Sequence, residues 1–278
     1  MTAYALPQVL EGKFTLGRYL GKGTFGLCHG VRDVIEKRER ALKEVCYTSV
    51  ATKNYERTAN EIKILKKVRH VNVLRLRESY HDVGNSRFLL ITDICNDGDL
   101  LSLILSHKKK QEFIGELEVW NYMYQITQGL HYLHRGLGEG MRVLHRDLKP
   151  ANILCHKGVL KIADFGLSAL QDSIVDAGSR VGVSWVPYGE EVDMWSLGCI
   201  LHVLCALELP FKEDAINSAF YRGKCTPSRL PDYYSDAANE MIAELLSLDG
   251  DDRPSAQMLL EEYHVMIFAG QSFENRQE

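Results

Sequence analysis

The stretch Val143-Leu144-His145-Arg146-Asp147-Leu148-Lys149-Pro150-Ala151-Asn152-Ile153-Leu154 decides how the chain is read, together with Asp164-Phe165-Gly166, which begins twelve residues after Asn152. It places two carboxylates, Asp147 and Asp164, and one amide, Asn152, around a short β-hairpin. That spacing brings a base and two oxygen ligands into one cleft. Magnesium prefers carboxylate or amide oxygens, phosphate oxygens and water, and these residues supply the protein part of such a set. A histidine, an arginine and a lysine interleaved with them belong to the same ordered pattern.

Upstream, Gly21-Lys22-Gly23-Thr24-Phe25-Gly26 is a glycine-rich turn. Alone it fits a plain surface hairpin equally well. A dinucleotide-binding fingerprint needs a strand before it and a helix after it. Here the residues that follow, 27–34, alternate as a second strand, so the glycines fall in a hairpin. Such a turn lets backbone N–H groups approach phosphates because no side chain holds the ligand away. Lys43 stands in the apolar run Ala41-Leu42-Lys43-Glu44-Val45. A lysine there lies at a sheet edge, faces water or meets an anion. Glu61, on the only helical pattern of this region, could pair with it or be ordinary surface charge.

Working outward, residues 14–20, 27–34, 40–46 and 87–92 read as strands, and 55–68 as one amphipathic helix with Ile62, Leu65 and Val68 on its inner face. From Leu100 onward helical periodicity dominates, over 117–135, 192–207 and 235–248. Residues 195–207 are apolar almost all round, as in a helix at the centre of a large lobe. The character of the sequence changes near Asn96–Gly98, a short polar link. The expectation is an α+β, bilobal architecture: a small β-rich lobe followed by a larger helical one. Lys108–Lys110 reads as a solvated loop or helix end.

Composition limits the function classes. The 278 residues suffice for a large core without disulfide or metal staples. Lys and Arg number 33 against 37 Asp and Glu, a formal charge of −4, which gives no reason to expect nucleic acid as the main partner. Seven scattered cysteines with no CxxC pair suit reduced thiols. The opening residues lack the basic and apolar regions of a signal peptide. The greasiest run, Ile200–Phe211, is short and broken by His202, Glu208 and Pro210. A cytoplasmic protein without a membrane partner is expected, with cytoskeletal or nuclear association as further settings.

Taken together, these motifs resemble the eukaryotic protein kinases over nearly the whole chain, from about Phe14 to Phe268. The glycine loop, Lys43, Glu61, the His145-Arg146-Asp147 triplet, Asn152, Asp164-Phe165-Gly166, Asp193-Met194-Trp195 and Arg253 occur in the family's order. The resemblance implies a bilobal kinase fold with an extension over 1–13, an N-lobe over 14–92, a hinge over 93–97, a C-lobe over 98–268 and a tail over 269–278. It implies Mg2+ and ATP as cofactors, protein substrates, a monomer, and a non-specific serine/threonine kinase activity, because Lys149 in Asp-Leu-Lys-Pro matches the serine/threonine branch. Lys43 would hold the α- and β-phosphates and be held by Glu61. Asp147 would accept the substrate proton, with Lys149 beside it, while Asn152 and Asp164 would carry Mg2+. Cys28, Ala41 and Leu154 match the residues enclosing adenine, Thr92 the back of that pocket, Asp93 to Cys95 its linker, and Asp99 the far end of the hinge. The likeness is greatest to the NIMA-related group, through the insert 134–144, LHRDLKPANIL and NEIKILKKVRHVNVLRL.

The segment after Asp164 departs from the family pattern. Val183 stands where a threonine is usual, the closing Pro-Glu is missing, and about a dozen residues after it are absent. Arg253 normally pairs with that glutamate, and Glu190 and Glu191 are the nearest replacements. Two other readings therefore remain at this point: a nucleotide-binding pseudokinase or scaffold, and, more distantly, a small-molecule phosphotransferase.

Ser179 aligns with the position commonly phosphorylated in the family, and Arg146 with the residue that clamps the phosphate. A phosphoserine adds about −1.5 to −2 charges and three acceptor oxygens, enough for charge-assisted bonds to a guanidinium. Ser179→Ala and Arg146→Ala should lower activity to a similar degree, with phosphate found on Ser179 by mass spectrometry. A fully active Ser179→Ala would refute the switch.

Overall fold

The structure is a computed structural model and describes residues 6–7, 10–23, 26–46, 58–59, 62–136, 142–164, 189–211 and 226–262. Thr24, Phe25, Glu61, Phe165, Gly166, Ser179 and Val183 lie outside these residues. The chain divides into two compact units, Met1–Asn96 and Asp97–Glu278.

The first unit is an antiparallel sheet of five strands: β1 (Phe14–Gly23), β2 (Gly26–Asp33), β3 (Glu39–Cys46), β4 (Leu76–Asp82) and β5 (Arg87–Asp93), in the spatial order β1-β2-β3-β5-β4. Four of these follow from alternation in the sequence. The fourth in chain order, β4, does not, because LRESYHD carries charge on both faces. Those charges are paired in the fold: Lys13 Nζ meets Glu78 at 2.5 Å, and Arg87 Nε meets Asp82 at 2.8 Å.

One face of the sheet carries an apolar core of Leu42, Leu89, Ile91, Val31 and Phe14, with Tyr80 packed against it. The segment before β1 covers it: Leu10, in a tight turn closed by Leu10 N donating to Pro7 O at 2.8 Å, is fully buried, and Leu6 packs alongside. The extension is therefore part of the small unit's core. On the same face Arg40 and Glu44 are buried, which is tolerable only with counter-charges. Arg40 bonds Asp93 at 2.7 Å and Glu36 at 2.5 Å, and Glu44 bonds Arg87 at 2.9 Å. The other face of β3 presents Ala41 and Lys43, both half-buried. The helix expected over 55–68 is seen in part: Lys66 N donates to Ile62 O at 3.0 Å, and Ile62 and Val68 are buried.

The second unit contains α1 (Leu100–Lys110), α2 (Glu116–Arg135), the hairpin β6 (Ile153–His156) and β7 (Val159–Ile162), α3 (Glu191–Ala206) and α4 (Asp236–Leu245). As its all-round apolar sequence predicts, α3 is central: Met194, Leu197, Ile200, Leu201 and Leu204 are buried in one cluster with Trp120, Met123 and Ile126 of α2 and Met241, Ile242 and Leu245 of α4. Gly198 permits the α3–α4 approach, since a Cβ there would lie 2.7 Å from Leu245 Cβ. The expected helix over 235–248 stops at Leu245, where Leu246 and Ser247 close a turn on Ile242 O and Glu244 O. The lysine run ends α1, whose C-terminal carbonyls favour cations. Lys108 Nζ also donates to Leu207 O at 3.1 Å, at the end of α3, so it is not simply solvated.

Leu10→Ala should destabilise the protein by about 2–4 kcal/mol, the usual cost of emptying a closed apolar site. Urea unfolding of the full chain measures it. A cost within error of zero would show that the extension does not close the core.

Candidate active site

Residues 143–152 have little regular structure, so something other than a ladder must hold them. The buried carboxylate of Asp193, in the first turn of α3, does so. Its Oδ1 accepts from Arg146 N at 2.7 Å, and its Oδ2 accepts from His145 N at 2.8 Å and from His134 Nε2 at 2.8 Å. Its side chain has no exposure to solvent. Burial alone would push this carboxyl up, but the His134 bond and charge and the two backbone N–H groups outweigh it and hold the pKa below the usual carboxylate value. Arg146 adopts φ +60°, a left-handed conformation unusual for a branched-chain or long side chain and kept only where surrounding bonds fix it.

From that anchor the loop reaches its working residues. His145 is fully buried, with Nε2 donating to Ala163 O at 2.9 Å and Nδ1 accepting from Asp147 N at 3.3 Å. Those two bonds fit the neutral ring, and burial pushes its pKa down accordingly. Ala163 N donates to Asn152 O at 2.8 Å. Ala163 is thus tied to the loop from both sides, and Asp164 follows it with φ +55°.

The structure brings Asp147, Lys149 and Asn152 together. Lys149 Nζ donates to both Asp147 carboxylate oxygens, at 3.0 and 2.8 Å, while Asn152 Nδ2 donates to Asp147 O at 2.7 Å and Oδ2 at 3.1 Å. The Asp147 carboxylate is 52% exposed, which suits a group that must meet a substrate. Because Asn152 spends its amide N–H groups on Asp147, its Oδ1 is the end left to ligate a cation. That donor chemistry fits magnesium, which takes one or two protein oxygens and keeps the rest of its shell for phosphates and water.

In the first unit Lys43 lies on β3, an interior strand, opposite Cys28 of β2 and Leu90 of β5. The edge alternative is thereby removed. Ala41 pairs with Thr92 in register, and both are half-buried. The glycine turn is a hairpin: Gly23 pairs with Gly26. A Cβ at Gly26 would lie 2.5 Å from Glu44 O, so a side chain there would collide with β3. Asp93 is more than a linker residue, since its carboxylate receives Arg40 and, at 2.7 and 2.9 Å, Arg77. In the second unit Asp99 caps α1, accepting from Ser102 N at 2.7 Å, and its backbone bridges to Leu154. Cys95 and Leu154 are half-buried.

Residues 14–265 match the family described as the protein kinase domain. The chain belongs to the protein kinase family. It is 33% identical over 256 residues to the serine/threonine-protein kinase Nek2 of Homo sapiens, covering 87% of this chain and 57% of the relative. The probable serine/threonine-protein kinase nek2 of Dictyostelium discoideum is 30% identical over 254 residues, covering 87% of this chain and 60% of the relative. The G2-specific protein kinase nimA of Emericella nidulans is 29% identical over 283 residues, covering 89% and 40%. The chain is thus a NIMA-related-like member in sequence, and it spans little more than half the length of the two Nek2 relatives and less than half that of nimA.

The sequence leaves the partner of Arg253 open, with Glu190 and Glu191 as candidates, and the structure answers with the main chain of Glu191. Arg253 Nη1 donates to the backbone carbonyl of Glu191 at 2.9 Å and its Nε to Ser247 O at 2.9 Å, while the guanidinium lies 4.8 Å from the centre of the Trp195 ring. The Glu191 carboxylate is turned to Gly189 N, at 2.6 Å. Carbonyl oxygens and an aromatic face therefore take the place of the missing glutamate. The sequence gives one signal for the anchoring role of Asp193, an acid in the first turn of a largely apolar helix, and none for that of His134.

Asp193→Ala would leave two buried backbone N–H groups and His134 without their acceptor. It should cost about 3 kcal/mol or more, the scale for breaking a buried charged pair. The wild type should lose stability as pH falls. His145, with its pKa depressed in the fold, resists protonation from about 6.5 downward, and Asp193 contributes until pH falls through its lowered folded value. Chemical unfolding between neutral and acidic pH measures both. An acid slope unchanged by Asp193→Ala would remove Asp193 from the account.

Proposed function

We propose that the chain is a serine/threonine protein kinase that transfers the γ-phosphoryl group of Mg-ATP to hydroxyls of protein substrates. The observation that carries this reading is the Asp147–Lys149–Asn152 cluster: an exposed carboxylate fixed by an ammonium and an amide on a loop locked from beneath by Asp193. Phosphoryl transfer asks the protein mainly to position groups and neutralise charge, and this arrangement supplies rigid placement. Asp147 receives the substrate hydroxyl proton at its carboxylate. Lys149 holds that carboxylate and adds positive charge where the transferred group becomes anionic. Asn152 Oδ1 and the Asp164 carboxylate would hold the cation, which would supply positive charge to offset that of the phosphates. Lys43, with Glu61 as its expected partner, would bind the α- and β-phosphates, and Cys28, Ala41 and Thr92 of the first unit and Leu154 of the second are the residues that the family resemblance assigns to the adenine.

The pseudokinase reading has one observation in its favour. The segment that normally seats the substrate lacks its closing Pro-Glu, and Arg253 is satisfied by carbonyls instead. The intact cluster around Asp147 weighs against it.

Asp147→Asn should cut turnover by about 10²-fold or more, a general-base magnitude, while leaving nucleotide binding in place. Asp164→Ala should abolish the part of the ATP-induced melting shift that depends on Mg2+. A phosphate-transfer assay on generic protein substrates, read beside thermal melting, checks both. Wild-type and Asp147→Asn proteins of equal activity would refute the assignment of the base. Nucleotide binding by a wild type that transfers nothing would support the pseudokinase.

A further inference from the structure

A cavity of about 490 Å³ opens in the second unit between the end of α2 and the residues before α3, lined among others by His131, His134, Arg135, Arg142 and Glu190. His134 is 4% exposed, so it is effectively a buried side chain. Its Nε2 is committed to Asp193, and its Nδ1 is buried with no hydrogen-bond partner among the described residues. The nearest carboxylate to that nitrogen is Glu190 Oε2, at 3.8 Å, beyond hydrogen-bond range. A buried ring nitrogen left unsatisfied is uncommon in a native fold and calls for a partner.

The rim has the opposite shortage. Arg135 and Arg142 are exposed, and among the described residues neither has a carboxylate within ion-pair distance. Among the described lining residues, Glu190 is the one carboxylate against these two guanidiniums. Ser255, also on the lining, already accepts from Met258 N at 3.3 Å. The cavity therefore combines excess positive charge, planar donors suited to bidentate bonds, and a ring nitrogen with no mate. Those features match a tetrahedral oxyanion that takes several charge-assisted bonds and can present either a lone pair or a proton to imidazole.

We infer that this cavity is a phosphate-binding site, with Arg135 and Arg142 holding the oxyanion and His134 Nδ1 at its floor. It is distinct from the Asp147 cluster and from the glycine hairpin. Its floor residue touches Asp193, so an occupant sits one side chain away from the bonds that lock the catalytic loop. The phosphate is either free in solution or carried on a serine side chain, and the two are separated by the probe. Glu190 is the built-in competitor for the same donors.

The test titrates the full chain by calorimetry with inorganic phosphate and, separately, with a short phosphoserine peptide and its unphosphorylated twin. A non-hydrolysable ATP analogue with Mg2+ is kept present to occupy the nucleotide site. Saturable binding of inorganic phosphate or of the phosphopeptide is expected, and whichever binds identifies the source. The Arg135→Ala/Arg142→Ala protein should bind at least about tenfold more weakly, the loss of one or two charge-assisted bonds. Glu190→Gln, which removes the competing charge, should bind several-fold more tightly. Both arginines and Glu190 lie at least partly in solvent, so these variants should fold, which melting confirms. No saturable binding of either probe to the wild type by about 10 mM, the edge of useful affinity, would overturn the site. Binding unaltered in the double variant would overturn it as well. These readouts do not involve phosphate transfer, so they stand or fall separately from the kinase reading.

Discussion

One buried carboxylate organises the second unit. Asp193 sits, fully buried, in the first turn of a largely apolar helix, where an unpaired charge would be prohibitively costly. It is stable because three donors converge on it, two from the backbone of the loop that carries Asp147 and one from His134. The same three bonds give the loop its shape. They hold Arg146 in a left-handed conformation and aim His145 at Ala163, which positions Asp164 on one side and Asn152 on the other. The charge that the core must accommodate is thus the one that fixes the chemistry above it.

The first unit solves a similar problem differently. Its sheet buries Arg40 and Glu44 on the face that also carries Leu42 and Ile91, and ion pairs to Asp93, Glu36 and Arg87 make that possible. Asp93 is shared between Arg40 and Arg77 at the end of β5, where the resemblance places the start of the adenine linker. The segment before β1 completes the same core through Leu10. Buried pairs of this kind add little net stability against an apolar substitute, but losing one partner is costly, so they hold strand register firmly.

Arg253 shows how a family feature can be lost and its function in the fold kept. A guanidinium is planar, carries five donors and stacks on aromatic faces, so it can be satisfied by carbonyls and by Trp195 where a carboxylate is absent. The family resemblance implies a glutamate partner, with Glu190 and Glu191 as the candidates in this chain. The choice between a side-chain carboxylate and a main-chain carbonyl of the same residue, Glu191, is made by how α3 begins.

Local periodicity and motif spacing were enough to give the fold class, most of the elements and the candidate chemical residues. Those signals survive without any knowledge of packing: α3 was legible from its apolar run, and Asp147, Asn152 and Asp164 from their separation. Tertiary structure alone decided what is long-range. It put Leu10 into the sheet's core, paired the charges that hid β4 from a period-two reading, set Lys43 on an interior strand, and joined His134 and Asp193 across 59 positions. Contacts of that kind are selected by which buried charges and hydrogen-bonding groups find partners once the whole unit is assembled, and no local pattern records them.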